Sequence, residues 1–186
     1  MAESNPQTFL DPGFRAEVDK RSGTPVSACF HCIKCTNGCP ISYAMDIVPN
    51  RLMRMIQLGL RHRVLSSSTI WICASCETCT TRCPNDIDVA RVMDSLRQMS
   101  LKAGTVAEPQ IPMFHEAFLA VVKSTGRVHE LEMLVRYKLK SGNLLSDVRL
   151  GWEMFKRGRL KLIPDNIARL HEVRRIFEEE ERNSGA

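Results

Sequence analysis

The feature that most constrains this chain is a cysteine pattern written twice. "CFHCIKCTNGCP" places Cys29, Cys32, Cys35 and Cys39 ahead of Pro40, and "CASCETCTTRCP" places Cys73, Cys76, Cys79 and Cys83 ahead of Pro84. Both read C-x2-C-x2-C-x3-C-P, and together they use all eight cysteines of the 186-residue chain. Three thiolates at i, i+3 and i+6 let one tight loop offer sulfur to three corners of a [4Fe–4S] cubane, with loop N–H groups turned toward the sulfurs. The fourth cysteine leaves the loop, and the proline after it keeps that residue extended or in a turn. In two-cluster proteins with this run the fourth cysteine serves the other cluster. The expected ligand sets are therefore Cys29, Cys32, Cys35 and Cys83 for one cluster, and Cys73, Cys76, Cys79 and Cys39 for the second.

Other thiol chemistries fit less well. Zinc sites pair C-x2–4-C knuckles across a longer spacer and close on four ligands; a third cysteine three residues on, followed by x3-C-P, departs from that pattern in both copies. A disulfide framework belongs to oxidising compartments. The start "MAESNPQTFLDPGF" lacks a signal peptide's basic and apolar segments, so the expected location is the cytoplasm, where thiols stay reduced. A thiol-exchange C-x-x-C enzyme is disfavoured because the remaining cysteines compete for the same chemistry. No apolar run reaches the ~20 residues of a transmembrane helix. The formal charge of +5 invites a nucleic-acid reading, but two oxidised clusters on cysteine thiolates, at about −2 each, bring it close to neutrality. No nucleic-acid partner is expected.

Around the motifs the periodicity is helical. "IVPNRLMRMIQLGLRHRVL" predicts one amphipathic helix of three or four turns, opened by Pro49, with Leu52, Met55, Ile56 and Leu60 inward and Arg51, Arg54 and Arg61 outward. "NDIDVARVMDSLRQMSLKAG" predicts a second, capped by Asp86 or Asp88, striped by Val89, Val92, Met93, Leu96 and Met99, and stopped at Gly104. Further helices are expected at 112–124, 128–140, 145–156 and 164–181, punctuated by Gly126, Gly142, Gly158 and Pro164, with "EEEERNSGA" as a frayed, solvated end. No alternating strand pattern occurs near the motifs. The fold class is all-α: an α-helical ferredoxin-like domain for two [4Fe–4S] clusters with a helical C-terminal extension. The boundaries read as an arm over 1–28, with a helical turn around Gly13 to Lys20, then the cluster domain over 29–107 and a helical region over 108–186 suited to subunit docking. Trp71 is assigned to the core. Lys34 and Arg82 read as solvated charges with an option to tune a cluster, and His31 as a hydrogen-bond donor to sulfur ahead of a ligand.

With the doubled motif, Trp71 two residues before Cys73 and the acidic "NDID" after Pro84, the chain resembles the C subunit of heterodisulfide reductase. The likeness is strongest from Phe14 to Gly104; Ile33 stands where many relatives carry glycine. The resemblance implies an oxidoreductase subunit with no catalytic residue of its own. It would pass single electrons between a flavin-containing A subunit and a B subunit that reduces a disulfide, in some complexes as part of electron bifurcation. A peripheral iron–sulfur subunit of a membrane quinone oxidoreductase and a free-standing ferredoxin-like carrier are the alternatives. Anaerobically purified protein is expected to contain about eight iron and eight acid-labile sulfides; two zinc ions and no sulfide by elemental analysis would contradict the cluster reading.

Overall fold

The computed structural model describes residues 10–142, 152–153, 156–157 and 167–184. Among them there are helices and turns but no strand. The chain divides into two compact units, the first ending at Glu108 and the second beginning at Pro109.

The first unit is built around its longest helix. Its α-helices are α1 (Phe14–Ser22), α2 (Lys34–Asn37), α3 (Pro49–Gln57), α4 (Arg61–Leu65), α5 (Thr69–Ile72), α6 (Thr78–Thr81) and α7 (Val89–Ala103), with 3-10 turns at Val26–Ala28 and Ser42–Ala44. Helix α7 packs against α1, α4, α5 and α6, while α1 also rests on α3. Its buried face carries Val89, Val92, Met93, Leu96 and Met99, the stripe read from the sequence. Asp88, not Asp86, is the cap: its carboxylate accepts the Arg91 N–H at 2.9 Å, and Asp86 lies in the left-handed region at φ 51°.

The arm expected over 1–28 is in part core. Phe14, Val18 and Ser22 fall at i, i+4 and i+8 on α1, and the two apolar side chains are completely buried. Only two large apolar residues in a nine-residue, charge-rich helix left a weak periodic signal. Arg61 fastens α1 to the rest of the unit by ion pairs to Glu17 (2.7 Å) and Asp11 (3.1 Å), with its guanidinium over the Phe14 ring. The Arg61 hydrogen bond is the main reason the Glu17 carboxyl sits below its ordinary pKa. With both side chains about a third exposed, the pair contributes at most about 1 kcal/mol.

The predicted single helix over 49–65 is two. Pro49 opens α3, whose inward residues are Leu52, Met53 and Ile56; Met55 is only half-buried. The chain breaks at Gly59, where φ is +73° and a Cβ would stand 2.4 Å from the Asp11 carbonyl oxygen. The Asp11 N–H in turn donates to the Gly59 carbonyl at 2.8 Å. Arg61 therefore starts a new helix instead of continuing an exposed face.

Helix α5 carries the chain into the second cysteine loop. Its N-terminus is held by Asp46, whose carboxylate accepts from Thr69 N–H (2.9 Å), Thr69 O–H (2.6 Å) and Ser68 N–H (3.2 Å). Burial by itself raises the Asp46 carboxyl, but the hydrogen bonds from Thr69 and Ser68 together outweigh it and leave the pKa below its ordinary value. Trp71, 5% exposed, is in the core as assigned from the sequence.

In the second unit α8 (Gln110–Thr125) packs against α9 (Glu130–Ser141) and α10 (Leu170–Ser184). His129 caps α9 by accepting the Glu132 N–H, and Gly126 and Gly142 end α8 and α9. Phe114 meets Tyr137 edge-on, and Arg174 donates to the Ser124 carbonyl at the end of α8. The buried residues here are few, Ala117, Val121, Thr125 and His129 among them, while Leu119, Leu134, Val135 and Leu139 stay substantially exposed. Helix α10 continues to Ser184, further into the acidic end than the frayed terminus expected there. The helix expected at 145–156 lies outside the described residues except at 152–153 and 156, where the backbone is helical; Gly158 and Pro164 lie outside them altogether.

Three substitutions test this packing. Gly59→Ala is expected to lower stability in urea by clearly more than Gly104→Ala. At Gly104 (φ +66°) an added Cβ meets nothing within 4 Å, so that change carries only the left-handed penalty of about 1 kcal/mol; equal losses would remove the role of the Asp11 contact. Asp46→Ala is expected to cost about 1 kcal/mol of stability. Because the folded pKa is depressed, this contribution is complete above the unfolded pKa and lost only as pH falls through the lower folded value. The gap from wild type in thermal unfolding should thus be constant from pH 6 to 8; a gap that opens or closes within that range contradicts the assignment.

Candidate metal centre

The two motifs fold as near-copies, residue by residue. In each, a helical turn delivers the first cysteine: Val26–Ala28 leads into Cys29 and α5 into Cys73. The loop then passes through left-handed residues at matching places, His31 and Ser75 (φ 60° and 48°), then Ile33 and Glu77 (φ 65° and 58°). The second of these immediately precedes a one-turn helix, α2 or α6, which carries the third cysteine, Cys35 or Cys79. The fourth cysteine follows the turn, with Cys39 N–H donating to Thr36 O and Cys83 N–H to Thr80 O, each at 3.1 Å. A β-branched isoleucine in the left-handed region is disfavoured, whereas glycine adopts it without steric cost.

Each loop is then tied to the helix after it by the same device. Thr36 Oγ1 accepts the Asn50 N–H of α3 (3.0 Å) and donates to Asn50 Oδ1 (2.7 Å). Thr80 Oγ1 accepts the Ala90 N–H of α7 (3.5 Å) and donates to Asp88 Oδ1 (3.0 Å). A second tie comes from further along each helix. Gln57 on α3 donates its amide N–H groups to the Val26 and Cys29 carbonyls, both at 3.0 Å, leaving Oε1 to accept from His31 Nε2 at 2.8 Å. Arg97 on α7 donates to the carbonyls of Ile70 (2.6 Å) and Cys73 and to Ser75 Oγ (3.2 Å). Sequence reasoning missed both residues. The signal available was their matched place, Gln57 eight residues after Pro49 and Arg97 eight after Val89, each at the same step of the helix following its motif.

The two loops also meet each other. Asn85 donates to the Ala28 carbonyl, and Arg82 lies across Gly38, where a Cβ would stand 2.7 Å from its Cδ. Arg82 thus packs on the first motif, while Lys34 is exposed. His31 Nδ1 stands 3.8 Å from Cys29 Sγ. Two cavities open between the loops. One is lined by Cys29, Cys32, Cys35 and Cys83 with Met53, Ile87 and Val89 as apolar walls. The other is lined by Cys39, Cys73, Cys76 and Cys79 with Ile41, Met45, Pro49 and Met93. Each takes three cysteines from one motif and the fourth from the other.

This donor set fits a cluster. Four soft thiols surround each cavity. Among the described residues, no three His, Cys, Asp or Glu side chains converge as they do on a single ion, which for zinc needs sulfurs at about 2.3 Å from a common centre. Burial pushes the Cys79 thiol up to about 11 and raises Cys35 and Cys73 as well; at Cys73 the Ser75 N–H and the Arg97 charge oppose that rise, and the neighbouring Cys39 and Asp94 add to it. The exposed Cys76 is lowered, chiefly by the Thr78 hydroxyl. Buried thiols of this kind become thiolates when a metal displaces their protons.

Comparison with known proteins points to the same cofactor chemistry. The 4Fe-4S dicluster domain family matches residues 28–88. The C subunit of the H(2):CoB-CoM heterodisulfide,ferredoxin reductase of Methanothermobacter marburgensis is 27% identical over 138 residues, covering 73% of this chain and 72% of the relative. The iron-sulfur C subunit of the CoB–CoM heterodisulfide reductase of Methanopyrus kandleri is 34% identical over 53% of this chain and 56% of its own length. The C2 subunit of the H(2)/formate:CoB-CoM heterodisulfide,ferredoxin reductase of Methanococcus maripaludis is 32% identical over 54% and 58%. Among the described residues no helix is long and apolar enough to cross a membrane. Residues 28–88 thus match a 4Fe-4S dicluster domain for two [4Fe–4S] clusters, and the chain is similar to the C subunits of heterodisulfide reductases.

Proposed function

We propose that this chain is the electron relay of a cytoplasmic heterodisulfide-reductase-like complex, passing single electrons between a flavin-containing A subunit and a B subunit that reduces a disulfide. The observation that carries the reading is the pair of cysteine-lined cavities, each drawing its fourth sulfur from the opposite loop. It supports ligand sets of Cys29, Cys32, Cys35 and Cys83 for one cluster and of Cys73, Cys76, Cys79 and Cys39 for the other. Each cluster, when bound, takes up and gives up one electron. The chain's own residues hold the two centres side by side, wall them with Met, Ile and Val side chains against water, and aim loop N–H groups at the sulfurs. With all eight thiols engaged, no cysteine is left to attack a disulfide, so that chemistry falls to a partner.

The outer edges of the two sites suit exchange with partners. Cys32 and Cys76, the second cysteine of each motif, are the exposed ones. Phe30 (60% exposed) and Ile33 flank Cys32 with apolar surface. In the C-terminal unit the exposed Leu119, Leu134, Val135 and Leu139 supply a further surface for subunit docking.

Purified at native expression levels, the protein is expected to elute with a flavoprotein and a second iron–sulfur subunit; a stable monomer that shuttles electrons unaided would contradict the subunit role. Cys83→Ser should damage the cluster held by the first motif, and Cys39→Ser the one held by the second, as read by electron paramagnetic resonance of the reduced protein. Damage confined in each case to the cluster of the mutated motif would refute crossed ligation.

A further inference from the structure

We infer that Arg97 makes the centre held by Cys73, Cys76 and Cys79 the more easily reduced of the two, so that within this chain an electron moves from the Cys29 side to the Cys73 side. The observation is an inequality between two otherwise matched clamps. Gln57 and Arg97 occupy the same step of equivalent helices and grip equivalent atoms: Val26 and Ile70 carbonyls, Cys29 and Cys73 carbonyls, His31 and Ser75 side chains. One clamp is a neutral amide and the other a guanidinium that stays charged at any ordinary pH.

Reduction of a [4Fe–4S] centre adds one negative charge, and its potential follows the charges and hydrogen bonds around it. A fixed cation against the ligand loop therefore favours the reduced form on its own side. Asp94 pairs with Arg97 at 2.7 Å, but its side chain is 52% exposed against 18% for the arginine. Water and salt screen the carboxylate more than the guanidinium, which is turned into the loop. Lys34, Glu77, Arg82 (which lies over Gly38 of the first motif) and Arg54 (which donates to Gln57 Oε1 at 3.2 Å) are all exposed, so water and salt weaken their fields more than that of Arg97. The transfer is a pure electron exchange: one centre loses an electron, the other gains it, and no bond or proton moves. The inference rests on the presence of the two clusters. It does not depend on which fourth cysteine completes each, because Arg97 grips the second-motif loop in either case.

The test is a redox titration of the cluster-loaded full chain, followed by electron paramagnetic resonance. A Cys76→Ser variant marks which signal belongs to the second motif. In the wild type that signal is expected to be the more positive. Arg97→Gln, which installs the residue of the opposite clamp, should weaken reduction of this centre about tenfold, or about 59 mV for one electron, and leave the other wave in place. Arg97→Lys should keep the order of the waves. Where Arg97→Gln loses iron, Asp94→Asn serves instead: removing the opposing carboxylate should move the second-motif wave upward. A wild type in which the first-motif wave is the more positive overturns the inference. So does an iron-replete Arg97→Gln with both waves unmoved, or an Asp94→Asn that leaves the second-motif wave unchanged. A protein with no iron or sulfide would instead refute the cluster reading itself.

Discussion

Gathering four sulfurs around one cavity, twice within a first unit that ends at Glu108, is the constraint on which the rest of this structure depends. Buried thiols resist ionisation, as the upward shifts at Cys35, Cys73 and Cys79 show, and thiolates repel one another. The chain meets this with backbone geometry. Left-handed residues at 31, 33, 75 and 77 turn each loop tightly enough to present its first three cysteines and its N–H groups to one centre. Such conformations persist only where the surroundings hold them. Here the threonine ties from Thr36 and Thr80, and the clamps from Gln57 and Arg97, supply that hold.

The same devices explain why a helix follows each motif. Helices α3 and α7 each bury an apolar face in the unit and present a threonine-bound N-terminus and a clamp residue to the preceding loop. Core packing and site geometry are thus two faces of one element. The copies are equal in backbone and unequal in chemistry: isoleucine against glutamate at the second left-handed position, histidine against serine at the first, glutamine against arginine at the clamp. Two similar loops can in this way hold the same kind of centre and treat an arriving electron differently.

Much of this was legible in the sequence, for physical reasons that can be named. Cysteine spacing is a direct record of cluster geometry, and the α7 stripe, with its Gly104 stop and an aspartate cap at either 86 or 88, is a strong periodic signal. Other parts were not. Helix α1 hides its two core residues among charges, and the ion pair that fastens it joins Glu17 to Arg61, 44 residues further along the chain. The break at Gly59 is invisible to periodicity because Leu60 continues the apolar spacing; it follows from the close approach of Asp11. Gln57 and Arg97 read as ordinary polar positions until the fold brings them to the carbonyls of Cys29 and Cys73. Long-range hydrogen bonds leave little trace in local composition.

The central claim is that each metal centre is shared by both motifs. An anaerobic crystal structure of the cluster-loaded protein tests it most directly. The account predicts Cys83 Sγ bonded to an iron of the centre held by Cys29, Cys32 and Cys35, and Cys39 Sγ bonded to an iron of the other. Finding Cys39 with its own motif and Cys83 with its own would contradict it.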